Sequence, residues 1–254
     1  MSRLLGAHVG TAEPLDAARA IGADAVQVFL SNPQSWRKPK PRSDAEAILA
    51  SKLSVYVHAP YLVNVASGNN RIRIPSRRIL AETCEAAAAI AARAVIVHGG
   101  HVTEDEPIEL GFQRWRKALE TLDCGVPILI ENTAGGANAV SRELDVIGSL
   151  WQEIGDLGPG FCLDTCHAWS AGESFSDLVD RAVDATGGVS LLHCNDSRDP
   201  FDSRRDRHAN LGTGTIPEDE MVSVLHATAA PIIVETPGEI EAHRSDLDWL
   251  RARL

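Results

Sequence analysis

Five histidines and four carboxylates stand out in this chain because most of them close short apolar runs. They are His58, His98, Glu131, Asp164, His167, His193, Asp206, His208 and Glu235. Mixed imidazole and carboxylate sets suit zinc, with manganese or iron as lesser options. One zinc takes about four ligands, so nine donors point to three ions with at least one bridging carboxylate. Local spacing supports this. In DTCH, Asp164 and His167 lie three apart where a strand gives way to a turn, and in RDRH, Asp206 and His208 lie two apart in a long loop. Polynuclear sites with ions about 3.5–4 Å apart are widely used to cleave phosphate esters. The chain has no G-x-S-x-G elbow, no Gly-rich dinucleotide loop and no P-loop to compete with that chemistry. His8 and His101 also lie near strand ends and are expected behind the ligands or against substrate. His226 and His243 fall in expected helices and are read as structural, and Cys162, Cys166 and Cys194 as small buried hydrophobes.

The elements that must carry these residues are eight apolar runs. They end at His8, Asn32, His58, His98, Glu131, Asp164, His193 and Glu235. Each is short, rich in Val, Ile and Leu, and too apolar to alternate, as in strands buried on both faces. Helical stretches separate them, such as PLDAARAIG, DEMVSVLHATA and an Ala-rich helix expected over 76–93 with Ser76 as N-cap. Eight strand–helix repeats in 254 residues predict one α/β domain over 1–254, a single TIM (β/α)8 barrel with its active site at the C-terminal ends of the strands. Convergence there brings the strand-end ligands into one mouth, where buried polar groups without partners would be costly. The loop 195–215 has no periodicity; at that length it is expected to be functional.

The net charge is −11, which opposes a polyanionic partner. Three divalent ions would add +6 and leave −5. Basic residues also cluster after strand ends, at Arg37, Lys38 and Lys40, at Arg71, Arg73, Arg77 and Arg78, and at Arg198, Arg204, Arg205 and Arg207. Three such clusters on one rim fit a nucleic-acid or phosphate partner. The five cysteines form an odd set without zinc-ribbon spacing, pointing to free thiols in a reducing cytoplasm. No signal-like or membrane-spanning stretch is visible, so no membrane association is expected.

The ordered motifs VHAPYLVN (57–64), VHGGH (97–101), IENTAG (130–135), CLDTCHAWSAG (162–172), HCNDS (193–197), DRHANLGTG (206–214) and IIVET (232–236) closely resemble the endonuclease IV family of apurinic/apyrimidinic endonucleases. The resemblance spans essentially the whole chain. It implies a TIM barrel with three Zn2+ per chain, Mn2+ or Fe2+ being an alternative at one position. His58 and His98 would hold the first ion, and Glu131, the expected catalytic residue, would bridge it to the second. Asp164, His193 and Glu235 would complete the second ion, and His167, Asp206 and His208 the third. The implied substrate is double-stranded DNA containing abasic sites, cut 5′ to the lesion to leave a 3′-hydroxyl and a 5′-deoxyribose phosphate, with removal of 3′ blocking groups besides. It would be a DNA-associated base excision repair enzyme, monomeric and with no obligate protein partner.

Tyr61 and Leu62 match family residues that insert into the DNA stack, and Asn32, Gln34, Arg205 and Arg207 are further expected DNA contacts. Two departures bear on DNA affinity rather than chemistry. Gln34 stands where the family commonly has a basic side chain, and HGGH is one residue shorter than the usual spacing. The rival reading is a metal-dependent sugar isomerase or epimerase of the xylose-isomerase-like barrels, which needs one or two ions and no Asp206–His208 pair. A DNA-binding protein without catalysis is disfavoured by the intact ligand set.

Overall fold

The apolar runs form the staves of a closed parallel barrel in the structure, a computed structural model that describes residues 3–254. The staves are β1 (Leu5–His8), β2 (Ala25–Phe29), β3 (Ser54–His58), β4 (Val95–His98), β5 (Ile128–Glu131), β6 (Gly160–Asp164), β7 (Val189–His193) and β10 (Ile232–Val234). They close in the order β1-β10-β7-β6-β5-β4-β3-β2. The interval between β7 and β10 holds a two-stranded antiparallel ribbon of β8 (Asp196–Ser197) and β9 (His208–Ala209). The expected eight-stranded barrel is therefore present.

Three boundaries differ from the sequence reading, the smallest at β10, which stops at Val234, one residue before Glu235. Strand β2 ends at Phe29, and Asn32 lies beyond it in a turn, its Oδ1 accepting the Gln34 amide at 2.9 Å. The Ala-rich helix, α3, runs Asn70–Ala88 rather than 76–93. Its N-cap is Asn69, whose side chain accepts the Arg71 amide at 2.9 Å. Pro75 reads as a break but lies inside the helix. Ser76 is interior: its hydroxyl donates to the Ile72 carbonyl at 2.8 Å and accepts the Asn64 amide at 2.9 Å. It ties the helix to the loop after β3 instead of starting the helix.

The other helices are α1 (Pro14–Ile21), α2 (Ala45–Ala50), α4 (Glu109–Leu119), α5 (Leu144–Ile154), α6 (Thr165–Ala171), α7 (Leu178–Thr186), α8 (Glu218–Ala227) and α9 (Ile240–Arg251). Two apolar layers hold the fold. A small inner one fills the barrel with Ala25, Tyr56, Ala94, Ile96, Leu129, Cys162, Leu191 and Ile233. A larger one, with Trp115, Phe161, Ile130 and Ile147, lies between strands and helices.

The cysteines are not all free. Cys84 of α3 and Cys124, after α4, form a disulfide with Cα atoms 5.1 Å apart, within the usual range for such a bond. Spacing of 40 residues gave no sign that helix packing would bring them together. Cys162, Cys166 and Cys194 are free and buried.

Candidate metal centre

Side chains alternate along a strand, and this alternation builds the site. The inner-layer residues Tyr56, Ile96, Leu129, Cys162, Leu191 and Ile233 each have a candidate ligand two positions on: His58, His98, Glu131, Asp164, His193 and Glu235. These six therefore stand on the core-facing side of the barrel, one step above its apolar filling, at the C-terminal ends. Strand register brings neighbours level, pairing His98 with Glu131 and Asp164 with His193.

All nine expected ligands converge, in three groups of which the first two share Glu131. His58, His98 and Glu131 form the first, Glu131, Asp164, His193 and Glu235 the second, and His167, Asp206 and His208 the third. Glu131 is shared: Oε2 lies 3.1 Å from His58 Nε2 and 3.3 Å from His98 Nε2, while Oε1 lies 2.9 Å from His193 Nδ1. His193 Nδ1 is also 3.3 Å from Glu235 Oε2. In the third group Asp206 Oδ1 lies 3.2 Å from His167 Nε2 and 3.1 Å from His208 Nε2. Glu131, Asp164 and His193 are fully buried, whereas half of the Asp206 side chain is exposed, so the third group is nearest solvent.

Local structure fixes the third group. Asp164 caps α6 by accepting the His167 amide at 2.7 Å on Oδ1. Loop 199–207 is laced to α6 by the Arg204 amide on the Ser170 carbonyl and by the Ser170 hydroxyl on the Arg205 carbonyl, each 2.8 Å. Gly135 of IENTAG has to be glycine, because a Cβ there would collide with the Arg204 carbonyl. Helix, loop and motif together hold Asp206 over His167.

The donors fit divalent ions. His58 Nδ1 donates to the Ala59 carbonyl at 2.7 Å, His167 Nδ1 to the Asn132 carbonyl at 2.9 Å, and His208 Nδ1 to the Glu235 carbonyl at 3.0 Å. A ring nitrogen anchored this way leaves the other free as a ligand, the usual arrangement behind metal-binding histidines. The Nε2 atoms of His167 and His208 are buried without a hydrogen-bond partner, a cost that a metal ion would remove.

Electrostatics agree. Burial alone would raise the Glu131 carboxyl, yet His193, His98 and His167 hold it well below the usual carboxylate range. Burial opposes charge on His167, but Asp164, Asp206 and Glu131 outweigh it and raise its pKa. Asp164 is pushed upward by burial. Packing this many opposed groups together makes sense around cations. Burial pushes the Cys162 and Cys166 thiols up to about 12, which keeps them protonated and unsuited to nucleophilic attack.

The remaining expected residues are placed differently. His8 does lie behind a ligand, its Nδ1 3.3 Å from Glu235 Oε1. His101 does not: it sits exposed on the rim, its backbone amide accepted by Asn64 Oδ1 at 3.1 Å and its carbonyl bonded by Asn64 Nδ2 at 3.0 Å. Tyr61 is exposed above the site, its ring 5.8 Å from His58 and 6.1 Å from His98. Leu62 lines the same pocket, of about 540 Å³, with Trp36, His98 and His167. Arg205 and Arg207 are exposed and paired with Asp199, Arg207 Nε bonding Oδ2 at 2.6 Å. Arg73 and Arg77 hold carbonyls of Ser67 and Arg114, so they serve the fold. His243 does as well, its Nε2 donating to the Thr236 carbonyl at 3.1 Å.

Three supporting residues were missed. Asn132 Oδ1 accepts the Asp164 amide and Asn195 Nδ2 donates to Asp164 Oδ2, both at 2.6 Å. Gln27 lies fully buried in β2. Its signal was present, since a lone amide inside AVQVF breaks an apolar run.

Fold and site together define a TIM-barrel enzyme with a cluster of His and carboxylate donors at its mouth. The family described as xylose isomerase-like TIM barrel matches residues 15–253. A Mycobacterium tuberculosis protein described as a probable endonuclease 4 is 58% identical over 250 residues, 98% of each chain. The crystal structure of endonuclease IV from Thermus thermophilus superposes with a TM-score of 0.85 at 31% identity, covering 98% of both chains. A D-tagatose 3-epimerase-like protein also superposes, with a TM-score of 0.79, but at 18% identity it shows the fold alone. The chain belongs to the endonuclease IV family of apurinic/apyrimidinic endonucleases, hydrolases that act on phosphodiester bonds.

Proposed function

We propose that this protein repairs DNA by hydrolysing the phosphodiester 5′ to an abasic site, leaving a 3′-hydroxyl and a 5′-deoxyribose phosphate, and that it also clears blocked 3′ ends. The observation that carries the reading is the division of nine donors into three groups, the first two joined by Glu131. Three Zn2+ ions fit these donors, with Mn2+ or Fe2+ as an alternative at one position. When bound, such ions supply a water of lowered pKa and neutralise phosphate charge. Glu131 stays ionised and joins the first two groups, which makes it the residue on which the site most depends.

The chain's own residues do the positioning. Tyr61 and Leu62 on the rim fill the gap left when the lesion leaves the helix. A sugar without a base costs less to extrude than an intact nucleotide. Arg205 and Arg207, exposed on the long loop, meet the phosphate backbone with Asn32 and Gln34. His101, on the rim, faces substrate rather than metal. One barrel domain suffices, acting in the cytoplasm as a monomer; among the described residues no helix is long and apolar enough to cross a membrane.

Incubation with a duplex carrying one abasic analogue tests the reading. A cut 5′ to the lesion, lost on chelation and in Glu131→Gln, is the expected result. A fully metallated protein that leaves the duplex intact would overturn it and favour a sugar isomerase.

A further inference from the structure

Gln27 is a primary amide in the wall of an otherwise apolar barrel, wholly buried. A buried amide has to find partners for its oxygen and both N–H groups. Gln27 finds two of them in the second group, His193 and Glu235, and the third in His8 beside it. Its Oε1 accepts from His193 Nε2 at 2.9 Å. Its Nε2 donates to Glu235 Oε1 and lies 2.9 Å from His8 Nδ1. Turning the amide over would set its oxygen against the Glu235 carboxylate, so chemistry fixes its orientation. A carbonyl oxygen only accepts, so the His193 proton must sit on Nε2. In the neutral ring Nδ1 then carries the lone pair, and Nδ1 is the atom that faces Glu131 Oε1 and Glu235 Oε2. The same amide occupies one oxygen of Glu235 and leaves Oε2 turned toward His193.

We infer that Gln27 is a positioning residue for the second donor group: it selects the His193 tautomer that leaves Nδ1 free as a ligand and holds Glu235 with one oxygen turned inward. The inference rests on the reading of His193 and Glu235 as metal ligands. Outer partners of this kind typically contribute 10–100-fold to metal affinity. His8 completes the arrangement, its Nδ1 2.9 Å from the amide nitrogen and 3.3 Å from Glu235 Oε1.

The test compares wild type, Gln27→Leu and Gln27→Glu. Leucine fills similar volume without hydrogen bonds; glutamate keeps an acceptor for His193 but loses the amide donor. Zinc affinity is read by competition with a chromophoric chelator, and the His193 tautomer by long-range 15N–1H NMR on metal-free protein at a pH high enough to leave the ring neutral. The expected result is an Nε2–H tautomer in wild type. In Gln27→Leu, ~10–100-fold weaker binding of one ion of three should accompany a fall in kcat at nearly constant KM, whereas Gln27→Glu should keep the Nε2–H tautomer without restoring affinity, because its second oxygen faces the Glu235 carboxylate. An Nδ1–H tautomer in wild type, or wild-type affinity for all three ions in Gln27→Leu, would overturn the inference. Wild type that takes up no zinc sinks the reading of the site, and the tautomer in wild type against Gln27→Leu still decides what Gln27 does. Were Gln27→Leu not to fold, the tautomers of wild type and Gln27→Glu would decide it.

Discussion

A histidine becomes a ligand through what its second ring nitrogen does, and three of the five here are settled by backbone carbonyls. Those carbonyls belong to Ala59, Asn132 and Glu235, each at or just past a strand end, so barrel geometry sets the ligand atoms. The third group shares no residue with the first two and can be emptied alone. His208→Asn should leave two tightly held ions instead of three by elemental analysis, with kcat lowered at least ~100-fold, beyond the effect typical of outer partners. Asn195 supports two of the proposed ligands at once, bonding Asp164 Oδ2 and accepting the Glu235 amide at 2.6 Å. Asn195→Ala should weaken zinc binding by ~10–100-fold in a chelator competition; unchanged affinity would show that Asp164 and Glu235 hold their places unaided.

At the level of elements, loops gain their order from a few side chains. Helix α3 starts one residue after Asn69, and replacing that cap with alanine costs about 1 kcal/mol. Calorimetry on Asn69→Ala should show a Tm lower by ~2–4 °C with cleavage of abasic DNA retained. The loop between β4 and α4 is held by Glu106, whose carboxylate receives Arg114 at 3.0 and 2.5 Å and the Thr103 hydroxyl at 2.9 Å. The Arg114 bonds, with Thr103, lower its pKa to about 2. A depressed carboxyl stabilises fully above its unfolded value of ~4.3 and loses that contribution as pH falls toward the folded value. Glu106→Gln should therefore melt below wild type at pH 7, and the gap should narrow as pH drops from ~5 toward ~3. A gap independent of pH would mean the carboxylate charge is not what holds the loop.

Across the whole molecule, charge is the governing quantity. At −11 the metal-free protein repels DNA, and three bound divalent cations would bring it to −5 with the change concentrated at the mouth. Metal removal should thus weaken binding of an abasic duplex as well as abolish cleavage, by at least ~10-fold in fluorescence anisotropy. Affinity of the metallated protein should fall steeply between ~50 and ~200 mM salt, as phosphate contacts require. Equal affinity with and without metal would place the DNA contacts away from the mouth. The disulfide makes a second global prediction: thiol titration of the denatured, unreduced protein should find Cys162, Cys166 and Cys194 reactive and Cys84 and Cys124 not.

The sequence by itself determined the architecture and pointed to the nine residues that converge at its mouth, because strand-end polar residues after apolar runs are a one-dimensional pattern that a parallel barrel maps onto one face. His58, His98, Glu131, Asp164, His193 and Glu235 were legible for that reason, and DTCH and DRH added the rest. What only the tertiary structure decided depends on residues distant in sequence. Gln27 became meaningful when β2 lay beside β1 and its amide reached His193. Asn69 displaced Ser76 as the cap of α3 because the helix begins six residues earlier and carries Pro75 inside it. His101 moved to the rim because Asn64 holds its backbone, and Cys84 met Cys124 because α3 passes the chain that follows α4. Each of these turns on a contact between separate elements, and periodicity carries no information about such contacts until the barrel has closed.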